Sequence, residues 1–229
     1  MRRFVAAIAM VFCCSISYAS AAATALQREQ VVAVFPDASI QLAQKGKAVF
    51  AGSMAPDVAA ASAWLAEQVL QQEIRFSEGD VDRYGRTLIT SDMQEKMLRD
   101  GVAIIYASAG DIPASWRVAE AAARTAKRGV WAMESLLITP ETALKATGGF
   151  HVIEGSITRI YESKTATYLN FGEDWRSDFS ITLLPKQRRS MKAFLANLKA
   201  GDRVRVRGSI TQENGPMIRL NHPANLERL

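Results

Sequence analysis

The strongest constraint in this chain is the order in which its hydrophobic periods change. Residues 31–35, 39–43 and 48–53 are short apolar or alternating runs, the pattern of strands, and Pro36-Asp37 and Lys45-Gly46 mark the turns between them. The period then becomes helical. Pro56 and Asp57 suit a helix entry and cap, and Ala61, Trp64, Leu65 and Val69 fall on one face. Alternation returns around Ile74 and Phe76 and again over 87–90, with 77–80 read as the turn between them. Three strands, a helix and two strands suit a small five-stranded barrel of the OB type.

The same order recurs. Asp92 with Glu95 three residues on predicts a capping box opening a short helix that Gly101 stops. A short extended run over 102–106 and an alanine-rich helix over 115–128 follow. Residues 134–149 read as a linker, with the boundary near Gly148. Beyond it, 151–161 alternates as one long strand, with Gly155 as a possible bulge. Strands are expected at 167–171 and 179–184. Pro185 opens a helix with Met191, Phe194, Leu195 and Leu198 on one face, and Asn214-Gly215 marks a hairpin between the last two strands. The expected class is mainly β with helices (α+β), two OB-type five-stranded barrels in tandem, at 31–133 and 150–229, with added helices in the first.

The N-terminus is of another kind. Arg2-Arg3, the apolar run 4–14 and the small residues after it have the form of a cleaved export leader over 1–21, ending at Ala19-Ser20-Ala21 or, alternatively, at Ala23-Thr24-Ala25. The expected location is periplasmic or secreted, with no stable membrane insertion after cleavage, because the apolar run is too short for a good span. The only cysteines, Cys13 and Cys14, lie in this segment, so no disulfide or thiolate metal site is expected beyond it. The formal charge is +5 and uneven: residues 150–229 carry 13 basic and 8 acidic side chains, whereas 22–149 carry 13 and 15. A basic second half is compatible with a polyanion partner and equally with a solvated basic face.

The stretch Asp82-Arg83-Tyr84-Gly85-Arg86, preceded by Gly52-Ser53-Met54-Ala55-Pro56-Asp57 and followed by Ala126-Lys127-Arg128-Gly129-Val130-Trp131, resembles the staphylococcal-nuclease-like (thermonuclease) family over roughly residues 31–133. The resemblance implies metal-assisted phosphodiester hydrolysis, in which two aspartates hold Ca²⁺, a glutamate acts as base and two arginines face the phosphate. Position by position, most of that set is missing. The first metal aspartate falls on Ala38, one arginine on Val49 and the second aspartate on Met54; the glutamate becomes Asp57, and only Arg86 is retained. Asp37, one residue from the metal position, is the remaining weak candidate ligand. Without an oxygen cage, no bound Ca²⁺ or other cofactor is expected. Residues 150–229 are also similar to a C-terminal region that accompanies such domains in some bacterial exported proteins, through Tyr168-Leu169-Asn170-Phe171-Gly172 and Gly215-Pro216-Met217-Ile218.

Arg86 and Asp57 are therefore vestigial catalytic candidates. Asp57 equally suits a helix cap, and Arg86 a structural pair with Asp57 or Asp82. For binding nucleic acid or another polyanion, the candidates are Arg203, Arg205, Arg207 and Arg219 toward phosphate, with Tyr168 and Trp175 as stacking platforms. The alternating arginines also fit the wet face of a strand. The resulting expectation is an exported, catalytically inactive binding module. The alternatives are a nuclease using displaced acidic groups and an envelope protein–protein interaction module.

Overall fold

A computed structural model describes residues 26–174 and 176–229; the expected leader with its cleavage sites, and Trp175, lie outside them. The first strands are β1 (Gln27–Val34), β2 (Ile40–Leu42) and β3 (Gly46–Phe50); the two-residue β4 (Ser53–Met54) then leads into α1 (Val58–Val69). After it come β5 (Glu73–Val81), β6 (Thr87–Ser91), α2 (Met93–Asp100), β7 (Ile104–Ile105) and α3 (Ala114–Thr125). Strands β1-β2-β3-β6-β5 close into a five-stranded barrel in which only the β3–β6 pairing is parallel. The alternation has the cause expected: Val31, Ile40, Leu42, Ala48, Phe50, Ile74, Phe76 and Ile89 point inward, and Leu65, Val69, Met97 and Leu98 of the helices pack with them.

Two local expectations are corrected. β5 runs through 77–80, and the chain turns instead at Asp82, whose Oδ1 accepts the N–H groups of Tyr84 (2.9 Å) and Arg86 (3.0 Å) around Gly85 (φ +76°). Asp92 stands at the N-cap of α2 as expected, but its side chain makes no capping hydrogen bond and no capping box forms with Glu95. Ser91 Oγ accepts from Met93 N (3.3 Å), and the Gln94 side chain accepts from Ser91 N. The helix ends where expected, at Gly101 (φ +72°), which meets Gly129 backbone to backbone with no room for a Cβ on either.

The C-terminal half comprises β8 (Leu137–Ile138), β9 (Phe150–Ser156), β10 (Arg159–Glu162), β11 (Thr167–Asn170) and β12 (Ser180–Leu183), then α4 (Pro185–Ser190) and α5 (Lys192–Ala196). It ends with β13 (Arg203–Ser209), β14 (Thr211–Gln212), β15 (Pro216–Arg219) and β16 (Leu226–Arg228). Its ladders form two sheets, β10-β11-β12-β15-β14 and β16-β13-β9-β8, where a second closed barrel was expected. They pack over one core that includes Ile153, Leu169, Phe179, Ile181, Val204, Val206 and Ile218. The long strand expected over 151–161 breaks at Ile157, whose backbone pairs with Gly201 and Asp202. Gly155 is no bulge: the β9–β13 register is unbroken, and a Cβ at 155 would collide with the Pro140 ring. The expected linker is also structured. β8 pairs in parallel with β9, and a 3-10 helix over Pro140–Ala146, capped by Thr139 and Thr142, buries Ala143 in the core.

The two halves meet over a buried surface. α3 turns Trp116, Ala119, Glu120 and Ala123 inward at helical spacing, so a carboxylate lies within an apolar stripe. Arg207 of β13 reaches it. Its Nη1 donates to Glu120 Oε1 and Oε2 (2.8 and 2.9 Å) and to the Ile105 carbonyl (3.0 Å), and its Nη2 pairs with Glu227. The side chains are 0% and 2% exposed. Nearby, Asn225 bonds both backbone groups of Ala107 (2.9 and 2.8 Å), and Tyr106 meets Phe150 edge to face at 4.9 Å. Among the described residues no helix is long and apolar enough to cross a membrane.

Truncating one member of a buried ion pair leaves the other charge without compensation. Glu120→Ala is expected to cost about 3–5 kcal/mol of unfolding free energy in urea denaturation at neutral pH. A loss of under about 1 kcal/mol, the range of a surface pair, would contradict the packing described.

Candidate functional site

The mouth of the first barrel is built from two turns. The β1–β2 turn carries Asp37 and, in the left-handed region (φ +56°), Ala38. The β5–β6 turn carries Asp82, Arg83, Tyr84 and Arg86. Arg86 ties them together. Its Nε and Nη2 hold Asp82 Oδ2 (2.8 and 2.7 Å), and its Nη1 reaches Asp37 Oδ2 at 3.2 Å. Lys47 Nζ adds a second cation on Asp37 Oδ2 at 3.1 Å, with its ammonium 4.4 Å from the Phe35 ring centroid. Ser39 occupies the other oxygen of Asp37 through both its N–H and its hydroxyl. Partial burial works to raise the Asp37 pKa, but the hydrogen bonds from Ser39 and Lys47 outweigh it and lower it from 3.8 to about 2. Asp82 is likewise held below its ordinary value: desolvation opposes, while the Arg86 and Tyr84 hydrogen bonds prevail. Tyr84, 65% exposed, lies beneath two guanidiniums, Arg83 at 4.7 Å and Arg86 at 5.1 Å.

This donor set does not fit a calcium ion. Ca²⁺ takes several oxygens at once. Here Ala38 offers none, and Met54, in β4 against β7, offers a thioether. Both oxygens of Asp37 are already engaged by donors, two of them cationic. Val49 sits in β3 opposite Leu88. Asp57 does not join the cluster: its Oδ1 caps α1 by accepting from Ala60 N at 3.0 Å. Among the described residues no group of three or more His, Cys, Asp or Glu side chains is arranged to hold a metal.

The arginines of β13 behave differently from a solvated strand face. Arg205 and Arg207 are buried; Arg205 pairs with Glu154 (2.5 Å) and Glu227 (3.3 Å), and Arg207 with Glu120 and Glu227. Neither is open to a phosphate, which corrects their reading as nucleic-acid contacts. The physical reason is that β13 is covered on both faces, by the C-terminal core on one and by α3 on the other. Burial works to raise the pKa of Glu227, but Arg207, Arg205 and Arg117 keep it lowered. Arg203 and Arg219 remain exposed, paired with Glu154 at 3.1 Å and Glu213 at 2.5 Å. Tyr168 lies across from Tyr161 on the open face of the β10–β11 ladder, with ring centroids 6.2 Å apart. Neither histidine joins a titratable cluster. His151 Nδ1 lies 2.8 Å from the Ser135 carbonyl, and His222 Nδ1 accepts from Ala224 N.

Sequence reasoning missed Lys47 at the barrel mouth. Its one signal is the Lys45-Gly46-Lys47 turn, whose hairpin register carries Lys47 back opposite Gln41, on the strand that leaves the Asp37 turn. It also missed Glu120, signalled by a carboxylate at helical spacing from Trp116.

Residues 41–133 match the family model described as Staphylococcal nuclease homologue. The matched segment includes Val49, Met54, Asp57 and Arg86 and begins after Asp37 and Ala38. No curated protein matches the chain.

Because the folded-state pKa of Asp37 is depressed, its pairing stabilises the fold fully above pH 3.8 and ceases to do so as pH falls toward about 2. Thermal melts of wild type and Asp37→Asn are expected to differ at pH 5 to 7, with wild type the more stable, and to converge in acid through that window. A difference that is constant or grows in acid would contradict the ion-paired geometry.

Proposed function

We propose that this chain, whose first half is a staphylococcal-nuclease-like domain, binds nucleic acid without the calcium-dependent hydrolysis its barrel resembles. The observation that carries the reading is the engagement of Asp37 by Lys47 and Arg86. A carboxylate clamped by two cations repels a further cation. The mouth instead holds three cations, Lys47, Arg83 and Arg86, against two carboxylates, with an exposed aromatic ring between the arginines. Such a surface favours phosphate at its rim and stacking at its centre. Export, with a periplasmic or secreted location, is part of the same proposal and rests on the form of the leader over 1–21.

Nothing in the site supplies the groups that make the family mechanism fast. Losing cooperating groups removes most of such catalysis. Asp57 engaged as a helix cap and Asp37 in ion pairs leave no free carboxylate in the cluster to act as base.

Binding through phosphates is salt-dependent. Labelled oligonucleotide is expected to bind the full chain at low salt and to weaken steeply as salt rises. Arg83→Glu should lower affinity several-fold with no loss of fold. Incubation with single- or double-stranded DNA or RNA in Ca²⁺ should leave the strands intact. Robust Ca²⁺-dependent cleavage that disappears in Arg86→Ala would overturn the reading and favour a nuclease working with displaced groups.

A further inference from the structure

The five-stranded sheet of the C-terminal half turns one face to the core and leaves the other open. The pairing register arranges the open face as two cross-strand rows. One row runs Arg159, Asn170, Ser180, Met217, and the other Tyr161, Tyr168, Thr182, Arg219. The alternate residues Leu169, Ile181 and Ile218 fill the core beneath. Each row therefore has an arginine at one end, the two at opposite corners, with two tyrosines and a polar floor between. The face is concave. With the 163–166 turn, Leu184 and the Glu213-Asn214 turn as walls, it encloses a groove of about 730 Å³, a size that takes a small planar ligand or a nucleotide.

The floor carries a carboxamide: Asn170 lines the groove, is only 8% exposed and accepts from Ser180 Oγ at 2.9 Å. At the rim, Arg159 has no carboxylate partner among the described residues and lies 5.7 Å from the Tyr161 ring. Arg219 pairs with Glu213, an exposed pair that an incoming phosphate can displace at little cost.

We infer that this groove binds unpaired nucleotides of a single-stranded nucleic acid, with bases on Tyr161 and Tyr168, the Asn170 amide on a base edge, and Arg159 and Arg219 toward the flanking phosphates. The inference deepens the proposed function and rests on it. Aromatic side chains stack on any splayed base, whereas a duplex keeps its bases stacked inside. A carboxamide on the floor supplies the donor and acceptor that a base edge requires. The excess of basic over acidic side chains across 150–229 acts in the same direction, since Arg205 and Arg207 are neutralised within the fold and the exposed charge lies elsewhere.

The test is fluorescence anisotropy on the full chain, with a labelled single strand of about ten nucleotides, in DNA and RNA forms, and with the corresponding duplex. Tyr161→Ala and Arg159→Glu change exposed side chains, and unaltered melting temperatures check that the fold is retained. Wild type is expected to prefer the single strand. Each groove variant should weaken single-strand binding by about tenfold, the loss of one base-stacking or phosphate contact, and leave duplex binding, which Arg83→Glu weakens, unchanged. Single-strand binding that survives both groove variants, or no preference over duplex, overturns the groove assignment alone. No binding of any nucleic acid by wild type overturns the proposed function with it.

Discussion

The ion pair between Arg207 and Glu120 is the constraint on which the arrangement of the two halves depends. Neither charge reaches water, so each is tolerable only while the other is in place. Around them Glu227, Arg205, Glu154 and Arg117 extend the pairing along β13 and β16. Burial and the repulsion of Arg205 lower the pKa of Arg124, and Glu120, Glu227 and Glu154 oppose that shift. The network ties α3 of the barrel to β9, β13 and β16 of the C-terminal half. It also withdraws from the surface two arginines that charge alone would assign to a polyanion face.

The same rule, that carboxylates decide which cations remain available, governs the barrel mouth with the signs exchanged. There the scarce resource is oxygen. Ala38 and Met54 remove two potential ligands outright, and Arg86 and Lys47 occupy the acid that remains. What is left is Tyr84 between the guanidiniums of Arg83 and Arg86, the feature on which the proposed anion binding rests. In the C-terminal groove an arginine again stands at the rim, with the Asn170 carboxamide on the floor. The chain thus offers two surfaces of one chemical character at separate places in the fold.

Much of this was legible before the structure. The order of periods predicted the closed barrel because each buried row of β1 to β6 is set by local alternation, and Asn214-Gly215 turned where its positive φ values allow. The retained Arg86 and the replaced Ala38, Val49 and Met54 could be read directly. What failed were features decided by partners distant in sequence. Arg205 and Arg207 alternate like a wet strand face, but α3, more than eighty residues earlier, covers that face. Residues 77–80 have turn composition, but pairing with β6 keeps them extended until the Asp82 side chain closes the loop. The 134–149 segment lacks strong periodicity and owes its order to β9 and the core it covers. Lys47 and Asn170 gained meaning only from register, which places Lys47 near Asp37 and Asn170 between Arg159 and Ser180.

The proposed preference of the barrel mouth for anions depends on Asp37 being already held by Lys47 and Arg86. Calorimetric titration of Ca²⁺ into the full chain is expected to give no saturable heat beyond dilution, and none on mutating Arg86 to lysine, since Lys47 and the missing oxygens remain. Stoichiometric Ca²⁺ binding to the native chain, abolished by replacing Asp37 with alanine, would contradict it.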